Sequence, residues 1–157
     1  SYGGIVADGP PLVGAGSAAT LASAGAAGST EALVASGGGV ELDGGAANDV
    51  FIFLDDGTAG DGPYDVDGFG DQGDDLLLIY GPGFGLDLED GSLNPSLFEE
   101  VTGATEGDDA TDIFVFNTTD NTLYFDADGV GGESSVALVV FDVSVTTLSD
   151  EDIFIFT

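Results

Sequence analysis

The hydrophobic residues of this chain fall into short runs, and stretches rich in Gly and Asp separate them. Val, Ile, Leu and Phe dominate the runs and favour strands, whereas Gly, Asp and Pro mark turns. The pattern therefore predicts an all-β protein with acidic Gly/Asp loops and little helix. The predicted strands cover residues 4–7, 33–35, 40–42, 50–54, 76–80, 113–116, 122–125, 136–145 with a bend near Asp142, and 153–156.

One predicted strand is apolar on both faces, because Val50, Ile52 and Leu54 alternate with Phe51 and Phe53. A strand with two apolar faces is expected to be covered on both sides. The cover can come from this chain or from a partner.

A five-residue motif, Asp-aliphatic-Phe-aliphatic-Phe, occurs at residues 49–53, 112–116 and 152–156. The copies start 63 and 40 residues apart, so the motif does not mark a solenoid of fixed period. One interpretation is a single type of strand used at equivalent edges of related sheets. The other is common β-propensity in a chain of narrow composition.

Composition divides the chain into three regions. Residues 1–36 are mostly Ala, Gly and Ser, residues 37–90 form an acidic β region, and residues 91–157 form a C-terminal β region. A helix through residues 17–35 would contain two Gly residues, each destabilising it by about 1 kcal/mol relative to Ala, so short strands fit at least as well. The first region is either a flexible linker or an inter-subunit strand that packs against a neighbour.

Asn94 and Pro95 signal the start of one short helix in the C-terminal region. Asn suits the N-cap position, and Pro suits the first helical position. We therefore expect a helix around residues 95–101.

The charge balance changes this picture, because the chain has 30 Asp and Glu residues and no Lys, Arg or His, for a formal charge of -30. Two carboxylates about 5 Å apart repel by about 0.8 kcal/mol in water and by about 3 kcal/mol at an effective dielectric constant near 20. The fold therefore has to separate its charges or recruit metal ions. High net charge also favours disorder, but 43% of the residues are hydrophobic, which is enough to build a core.

The residues that the chain lacks exclude several functional classes. Without basic residues it cannot neutralise the phosphates of a nucleic acid, and anionic membranes repel it. Without Cys it has no disulfide and no thiolate metal site. Residues 9–30 are uncharged but consist mainly of Gly, Ala and Ser, so we expect no membrane span. Of the usual catalytic groups only carboxylate pairs remain, and nothing distinguishes one pair, so we expect no enzyme.

Two acidic, Gly-rich loops are the best candidates for metal sites. Ca²⁺ takes six to eight oxygen ligands from carboxylates and backbone carbonyls. The alternative is that the loops are solvated turns, since Asp and Gly are common turn residues. The candidate ligands are Asp65, Asp67, Asp71, Asp74 and Asp75 in the first loop, Asp126, Asp128 and Glu133 in the second, and, with a weaker pattern, Asp108, Asp109 and Asp112.

Two stretches carry a family resemblance. The first, GFGDQGDDL from Gly68 to Leu76, looks like a degenerate copy of a Gly-Gly-x-Gly-x-Asp nonapeptide. The second runs from DIFVFN at residue 112 through TLYFDADG at residue 122 to DIF at residue 152. On these stretches, residues 45–157 resemble the repeats-in-toxin (RTX) family of secreted calcium-binding proteins.

The resemblance implies Ca²⁺ at Asp126 and Asp128 and a calcium-loaded β-sandwich or β-roll-like fold that is completed outside the cell. It also implies export by a type I secretion machine that reads an uncleaved C-terminal signal. The first residues lack the positive region of a cleavable signal peptide, which agrees with that route. No tandem run of the nonapeptide is present, and the hydrolase activities of the family are not carried over.

We therefore expect a secreted calcium-binding structural protein that self-assembles into an extracellular filament or surface layer. Its partners would be calcium ions and further copies of itself, as a homo-oligomer or homopolymer at the cell surface or in the matrix. The alternative is a calcium-dependent folding and type I secretion module of a larger exported protein or adhesin.

Overall fold

The computed structural model describes residues 30–35, 41–56, 63–70 and 74–157. This part of the chain is built from strands and three single-turn 3-10 helices, so the all-β prediction is confirmed. The strands are β1 (Ala32–Ala35), β2 (Glu41–Asp43), β3 (Val50–Phe53), β4 (Tyr64–Asp67), β5 (Leu76–Tyr80), β6 (Gly91–Ser92), β7 (Phe98–Val101), β8 (Phe114–Asn117), β9 (Thr122–Phe125), β10 (Val136–Phe141) and β11 (Ile153–Phe156). The 3-10 helices are Gly81–Phe84, Pro95–Leu97 and Asp150–Asp152.

The described strands form two sheets. The first sheet has the order β1-β3-β5-β11-β6, and the second has the order β2-β4-β10-β9-β8-β7. Strands β1 to β5 alternate between the sheets, and within each sheet they run parallel to one another. The register pairs Ala32 with Val50, so the first circuit of the chain takes 18 residues.

The C-terminal region completes both sheets. Strand β10 is parallel to β4, and β11 is parallel to β5. Strands β8, β9 and β10 are joined in antiparallel pairs. Residue 90 is therefore a boundary in composition, while strands from both sides of it share the same two sheets.

The core is a cluster of buried apolar side chains contributed by both sheets. The rings of Phe53 in the first sheet and Tyr64 in the second are 5.5 Å apart, and both residues are fully buried. Phe51 of β3 is also fully buried, whereas Val50 and Ile52, which alternate with it, are partly exposed. Only one of the two apolar faces expected on β3 is therefore part of this core.

Strand β4 lies where the sequence predicted an acidic loop. Tyr64 and Val66 are fully buried, and they alternate with the exposed Asp65 and the partly exposed Asp67. The two inward side chains are enough to hold the strand in the second sheet, because alternation with period 2 places them on one face.

The helix predicted over residues 95–101 is confirmed only at its start. The Oδ1 of Asn94 accepts a hydrogen bond from the backbone N–H of Ser96 at 3.0 Å, as expected of an N-cap. The 3-10 helix ends at Leu97, and the next four residues form β7, so the rest of the prediction was wrong. Phe98 packs against the core, and β7 pairs with β8 in parallel register, which overrides the local helix signal.

Strand β10 ends earlier than the predicted range of residues 136–145. The Oδ1 of Asp142 accepts a hydrogen bond from the backbone N–H of Ser144 at 2.7 Å, and this Asx turn replaces the expected bend. The other predicted strands in the described part are confirmed within one or two residues, and the prediction at residues 4–7 lies outside the described residues.

The three copies of the Asp-aliphatic-Phe-aliphatic-Phe motif form β3, β8 and β11. All three strands have neighbours on both sides, so the expectation that they lie at sheet edges was wrong. The aliphatic and Phe residues of the motif suit these strands, because strands in the middle of a sheet are more buried than edge strands. Within the described ranges, no helix is long and apolar enough to cross a membrane.

Candidate metal centre

Three acidic residues form a buried row at the start of the first sheet. Glu31, Asp49 and Asp75 immediately precede β1, β3 and β5, and they are 4%, 0% and 4% exposed. The parallel register of these strands places the three residues side by side. We call Glu31, Asp49 and Asp75 the buried row.

Backbone N–H groups bind one side of the row. The N–H of Glu31 donates to Oδ1 of Asp49 at 2.8 Å, and the N–H of Asp49 donates to Oδ1 of Asp75 at 2.7 Å. The N–H of Gly70 donates to Oδ2 of Asp75 at 2.5 Å. Oδ2 of Asp49 is buried and has no hydrogen-bond partner in the described structure. An ionised carboxylate with a buried, unpartnered oxygen is unfavourable unless a proton or a metal ion neutralises it.

The electrostatics of the row also make an ionised Asp49 unfavourable. Burial raises the pKa of the Asp49 carboxyl, and the hydrogen bond from the Glu31 N–H partly opposes that shift in pKa. The carboxylates of Asp75 and Asp43 raise the pKa of Asp49 further. The chain has no Lys, Arg or His. Asp49 is therefore neutralised either by a proton or by a cation from solution.

Glycine keeps space open beside the unpartnered oxygen. A Cβ atom on Gly44 would lie 2.7 Å from Oδ2 of Asp49, which is closer than real side chains approach. The next residue, Gly45, donates its N–H to Oδ1 of Asp43 at 3.0 Å. The loop thus brings a second carboxylate, that of Asp43, near Asp49, and carboxylate oxygens are ligands that Ca²⁺ prefers.

A second buried carboxylate lies in the predicted loop at residues 126–133. Asp126 is fully buried, and its Oδ2 likewise has no partner in the described structure. Burial raises the pKa of Asp126, and the nearby carboxylates of Asp128 and Glu106 raise this pKa further, against a backbone N–H bond from Asp128. Asp126 therefore resembles Asp49 in its need for a neutralising partner.

The rest of that loop folds around Asp128. Oδ2 of Asp128 accepts backbone N–H groups from Gly132 at 3.0 Å and from Glu133 at 3.3 Å. Desolvation acts to raise the pKa of Asp128, but these N–H groups favour the ionised form, and the pKa is lowered overall. Glu133 is exposed and contributes its backbone to this turn. The loop thus brings Asp126 and Asp128 together. Glu133 contacts Asp128 through its backbone N–H group.

A third acidic group includes one residue that the sequence analysis missed. Carboxylate oxygens of Glu99, Asp108 and Asp112 lie within 4.8 Å of one another. Glu99 accepts the N–H of Asp108 at 2.9 Å, and Asp112 accepts the N–H of Asp109 at 3.0 Å. Burial raises the pKa of Glu99, and the adjacent acids add to the rise in pKa. Three carboxylate oxygens at this spacing are enough to hold a cation, and two of the three carboxylates also accept backbone N–H groups of the 106–112 loop.

Asp109 itself lies outside that triad. Its Oδ1 accepts hydrogen bonds from the hydroxyl of Thr111 at 2.5 Å and from the backbone N–H of Thr111 at 2.7 Å. These bonds lower the pKa of Asp109, and the side chain is exposed. Asp109 is therefore best explained as a turn residue.

The five acids predicted in the first loop do not share one site. Asp75 joins the buried row, while Asp74 is exposed and donates its N–H to Oδ1 of Asn48 at 3.2 Å. Asp65 and Asp67 lie on β4, in register with two acids of β2. Asp71 lies outside the described residues.

Sequence reasoning missed Glu31, Asp49 and Glu99 as candidate ligands. A signal for Asp49 was present, because it immediately precedes an apolar run, as Asp75 does in its own loop. Glu99 carried no local signal, because the pairing of β7 with β8 brings it close to Asp108 and Asp112.

Comparison of the chain with family models, curated proteins and solved structures finds no match. The RTX resemblance of residues 45–157 therefore stays a prediction.

Proposed function

We propose that this chain is a secreted calcium-binding structural protein that assembles into an extracellular filament or surface layer. The observation that carries the calcium part is Asp49, which is fully buried with an unpartnered carboxylate oxygen in a chain that has no cationic residue. A hard divalent cation with oxygen ligands answers this need directly.

The residues around Asp49 fit such an ion. Asp43 and Asp75 are the carboxylates whose charges act on Asp49, and Gly44 leaves room beside its free oxygen. A bound Ca²⁺ would replace repulsion along the buried row with attraction. Because the row exists only when β1, β3 and β5 are paired, the ion would bind the folded chain alone and stabilise it.

The strand order supports a β-roll-like interpretation of the N-terminal half. Strands β1 to β5 alternate between two sheets, and the first circuit takes 18 residues, which is twice the nine-residue period suggested by the RTX resemblance. This topology also favours the second candidate function, a calcium-dependent folding and secretion module. A native gene that encodes a longer chain with a catalytic domain would favour the module.

The calcium part is tested by thermal unfolding of the metal-free protein with added Ca²⁺, and with Mg²⁺ as the matched control. One site that binds only the folded state adds about 2.7 kcal/mol at 100 times its Kd. For a domain of this size that is a rise in Tm of about 5–10 °C. A Tm that does not change when Ca²⁺ is added, or when excess EDTA is then added to the Ca²⁺-loaded protein, would overturn the proposal.

The assembly part is tested separately by sedimentation velocity and negative-stain microscopy of the full chain, with Ca²⁺ and after chelation. We expect concentration-dependent assembly in Ca²⁺, because the ion reduces repulsion between copies that each carry a formal charge of -30. Monodisperse monomers in both conditions would contradict assembly and leave calcium binding standing.

A further inference from the structure

The outer side of the first sheet carries no acidic residue on its four parallel strands. Every outward side chain there is apolar or aromatic, and each is partly exposed; the most exposed is Leu54, just after β3, at 37%. We call this surface the uncharged face. Its residues are Ala32, Val34, Val50, Ile52, Leu54, Leu76, Leu78, Tyr80, Phe154 and Phe156.

The uncharged face is continuous across the sheet. The register aligns Val34, Ile52, Leu78 and Phe154 in one row across β1, β3, β5 and β11. On the next row, the rings of Tyr80 and Phe156 are 5.1 Å apart. Adjacent apolar side chains in register make one patch rather than scattered exposed residues.

The corresponding surface of the second sheet is acidic at one end, on β2 and β4. The outward positions of β2 and β4 are all acidic: Glu41, Asp43, Asp65 and Asp67. With 30 acids and no bases in the chain, a carboxylate-free face of this extent needs an explanation of its own. A basic partner would be drawn to the acidic surface, so the occupant that suits the uncharged face is another neutral apolar surface.

We propose that the uncharged face packs against the same face of a second copy of this chain. The proposal rests on the assembly part of the proposed function and names one of its contacts. A face that packs on itself closes a pair, so a filament or layer needs a second contact elsewhere on the molecule. Two copies joined in this way keep the acidic surfaces of their second sheets on opposite outer sides. Any contact made through the acidic surfaces would instead bring like charges together without a compensating base.

The size of the face sets the strength of the contact. Four strands about 4.8 Å apart, with about five residues each at about 3.3 Å per residue, cover about 300 Å² per copy. A stable interface buries about 800 Å² per partner. The pair is therefore weak by itself, and it should form at high protein concentration and in the presence of cations that screen the charge.

Cysteine cross-linking tests the contact directly, because the chain has no Cys of its own. The variants Ile52→Cys, Leu78→Cys and Phe154→Cys each place one thiol on the central row of the uncharged face. We expect a short bis-maleimide to link at least one of them into dimers in Ca²⁺. The control Val143→Cys, at a residue that is 90% exposed in a turn, should remain monomeric.

A charge variant gives an independent readout. Leu78→Glu puts a carboxylate on the face, and Val143→Glu adds the same charge elsewhere. We expect Leu78→Glu to raise the Kd of self-association by about tenfold or more, and Val143→Glu to leave it unchanged. Leu78→Thr is the milder replacement if Leu78→Glu fails to fold, and it should weaken association in the same direction.

The outcomes separate this proposal from the assembly proposal. If the wild type associates in Ca²⁺ but no thiol on the face cross-links and Leu78→Glu associates normally, the contact is elsewhere and this inference fails alone. If the wild type never associates, both fail. If the three thiols are shielded from a monofunctional maleimide in monomers, residues of the same chain cover the face, and the inference is overturned.

Discussion

Two groups of carboxylates in this protein lie side by side on parallel strands in opposite surroundings. In the buried row, Asp49 lies between its neighbours on adjacent parallel strands and is fully buried. On the outer side of the second sheet, Glu41 and Asp65 face each other in the same kind of parallel register, but Asp65 is exposed and Glu41 partly exposed. We call Glu41 and Asp65 the surface pair.

The difference between them shows that burial, more than charge density, creates the need for a cation. Carboxylates about 5 Å apart repel by about 0.8 kcal/mol in water and by about 3 kcal/mol at an effective dielectric constant near 20. Water screens the surface pair. It does not reach Oδ2 of Asp49, so the buried row depends on protonation or on a bound metal ion.

The largest expected effect is that of Asp49→Asn, and the sign of its effect on stability depends on calcium. The amide oxygen can still accept the N–H of Glu31, but the charge is gone. Without metal, we expect the variant to be more stable than the wild type by about 1 kcal/mol, since a buried repulsive charge has been removed. With Ca²⁺, we expect it to lose most of the stabilisation of about 2.7 kcal/mol that one site provides at 100 times its Kd. Urea unfolding with and without Ca²⁺ measures both changes.

The matched control for that experiment is Asp65→Asn, which removes the same charge from the surface pair. Its stability change should have the same sign in both conditions. If Asp49→Asn also gave the same change with and without Ca²⁺, the buried row would not be a calcium site.

The metal-free protein should lose stability as the pH rises. The pKa of Asp49 is raised in the folded state, so the folded state binds more protons than the unfolded one above about pH 4, the usual pKa of Asp. That favourable contribution is present at low pH and is lost as pH rises through the raised pKa. We therefore expect the Tm of the metal-free wild type to be higher at pH 5 than at pH 7.

Two comparisons check the origin of this pH dependence. Asp49→Asn should flatten the slope of Tm between pH 5 and pH 7, and Ca²⁺ should reduce or reverse it because protons compete for the ligands. Equal slopes for wild type and variant would assign the effect to other groups, such as Asp126, whose pKa is also raised.

A third prediction compares two copies of the same motif. Asp152 precedes β11 as Asp49 precedes β3, but Oδ2 of Asp152 accepts the N–H of Ser149 at 2.8 Å and its hydroxyl at 3.2 Å. Asp152→Ala should therefore cost about 1 kcal/mol, as the loss of a cap does, in the presence or absence of Ca²⁺. Urea unfolding in both conditions measures this. A clear calcium dependence would place Asp152 in a metal site and remove the distinction between the two copies.

The sequence was informative about strands whose apolar residues are contiguous. The ranges of β5, β9 and β11 were predicted without error, because runs such as LLLIY have strong β-propensity and clear breaks. The sequence was uninformative at β4, because two acids alternate there with Tyr64 and Val66 and no run of apolar residues marks the strand. It was misleading at β7, where pairing with β8 overrode the helix signal after Asn94.

The candidate site was harder to predict than the fold because its members are distant in sequence. The hydrogen bonds that build the buried row join residues 18 and 26 positions apart. Asp75 was predicted from its local loop, but its partner Asp49 is brought beside it by the register of β3 with β5. A local pattern can show that an acid is present at a turn, whereas its burial depends on which strands pair.

The smallest expected effect is on the surface pair, and it completes the comparison. Asp65→Asn should stabilise the protein by about 0.5 kcal/mol at low salt, because it removes one of two like charges that face each other across adjacent strands. Since water and ions screen this pair, the gain should shrink toward zero in about 1 M NaCl. The exposed loop acid Asp87 provides the control, and Asp87→Asn should change stability by less than Asp65→Asn under both conditions. Urea unfolding at two salt concentrations decides the matter: a gain at Asp65 that persisted in high salt would mean that the surface pair, like the buried row, is shielded from solvent.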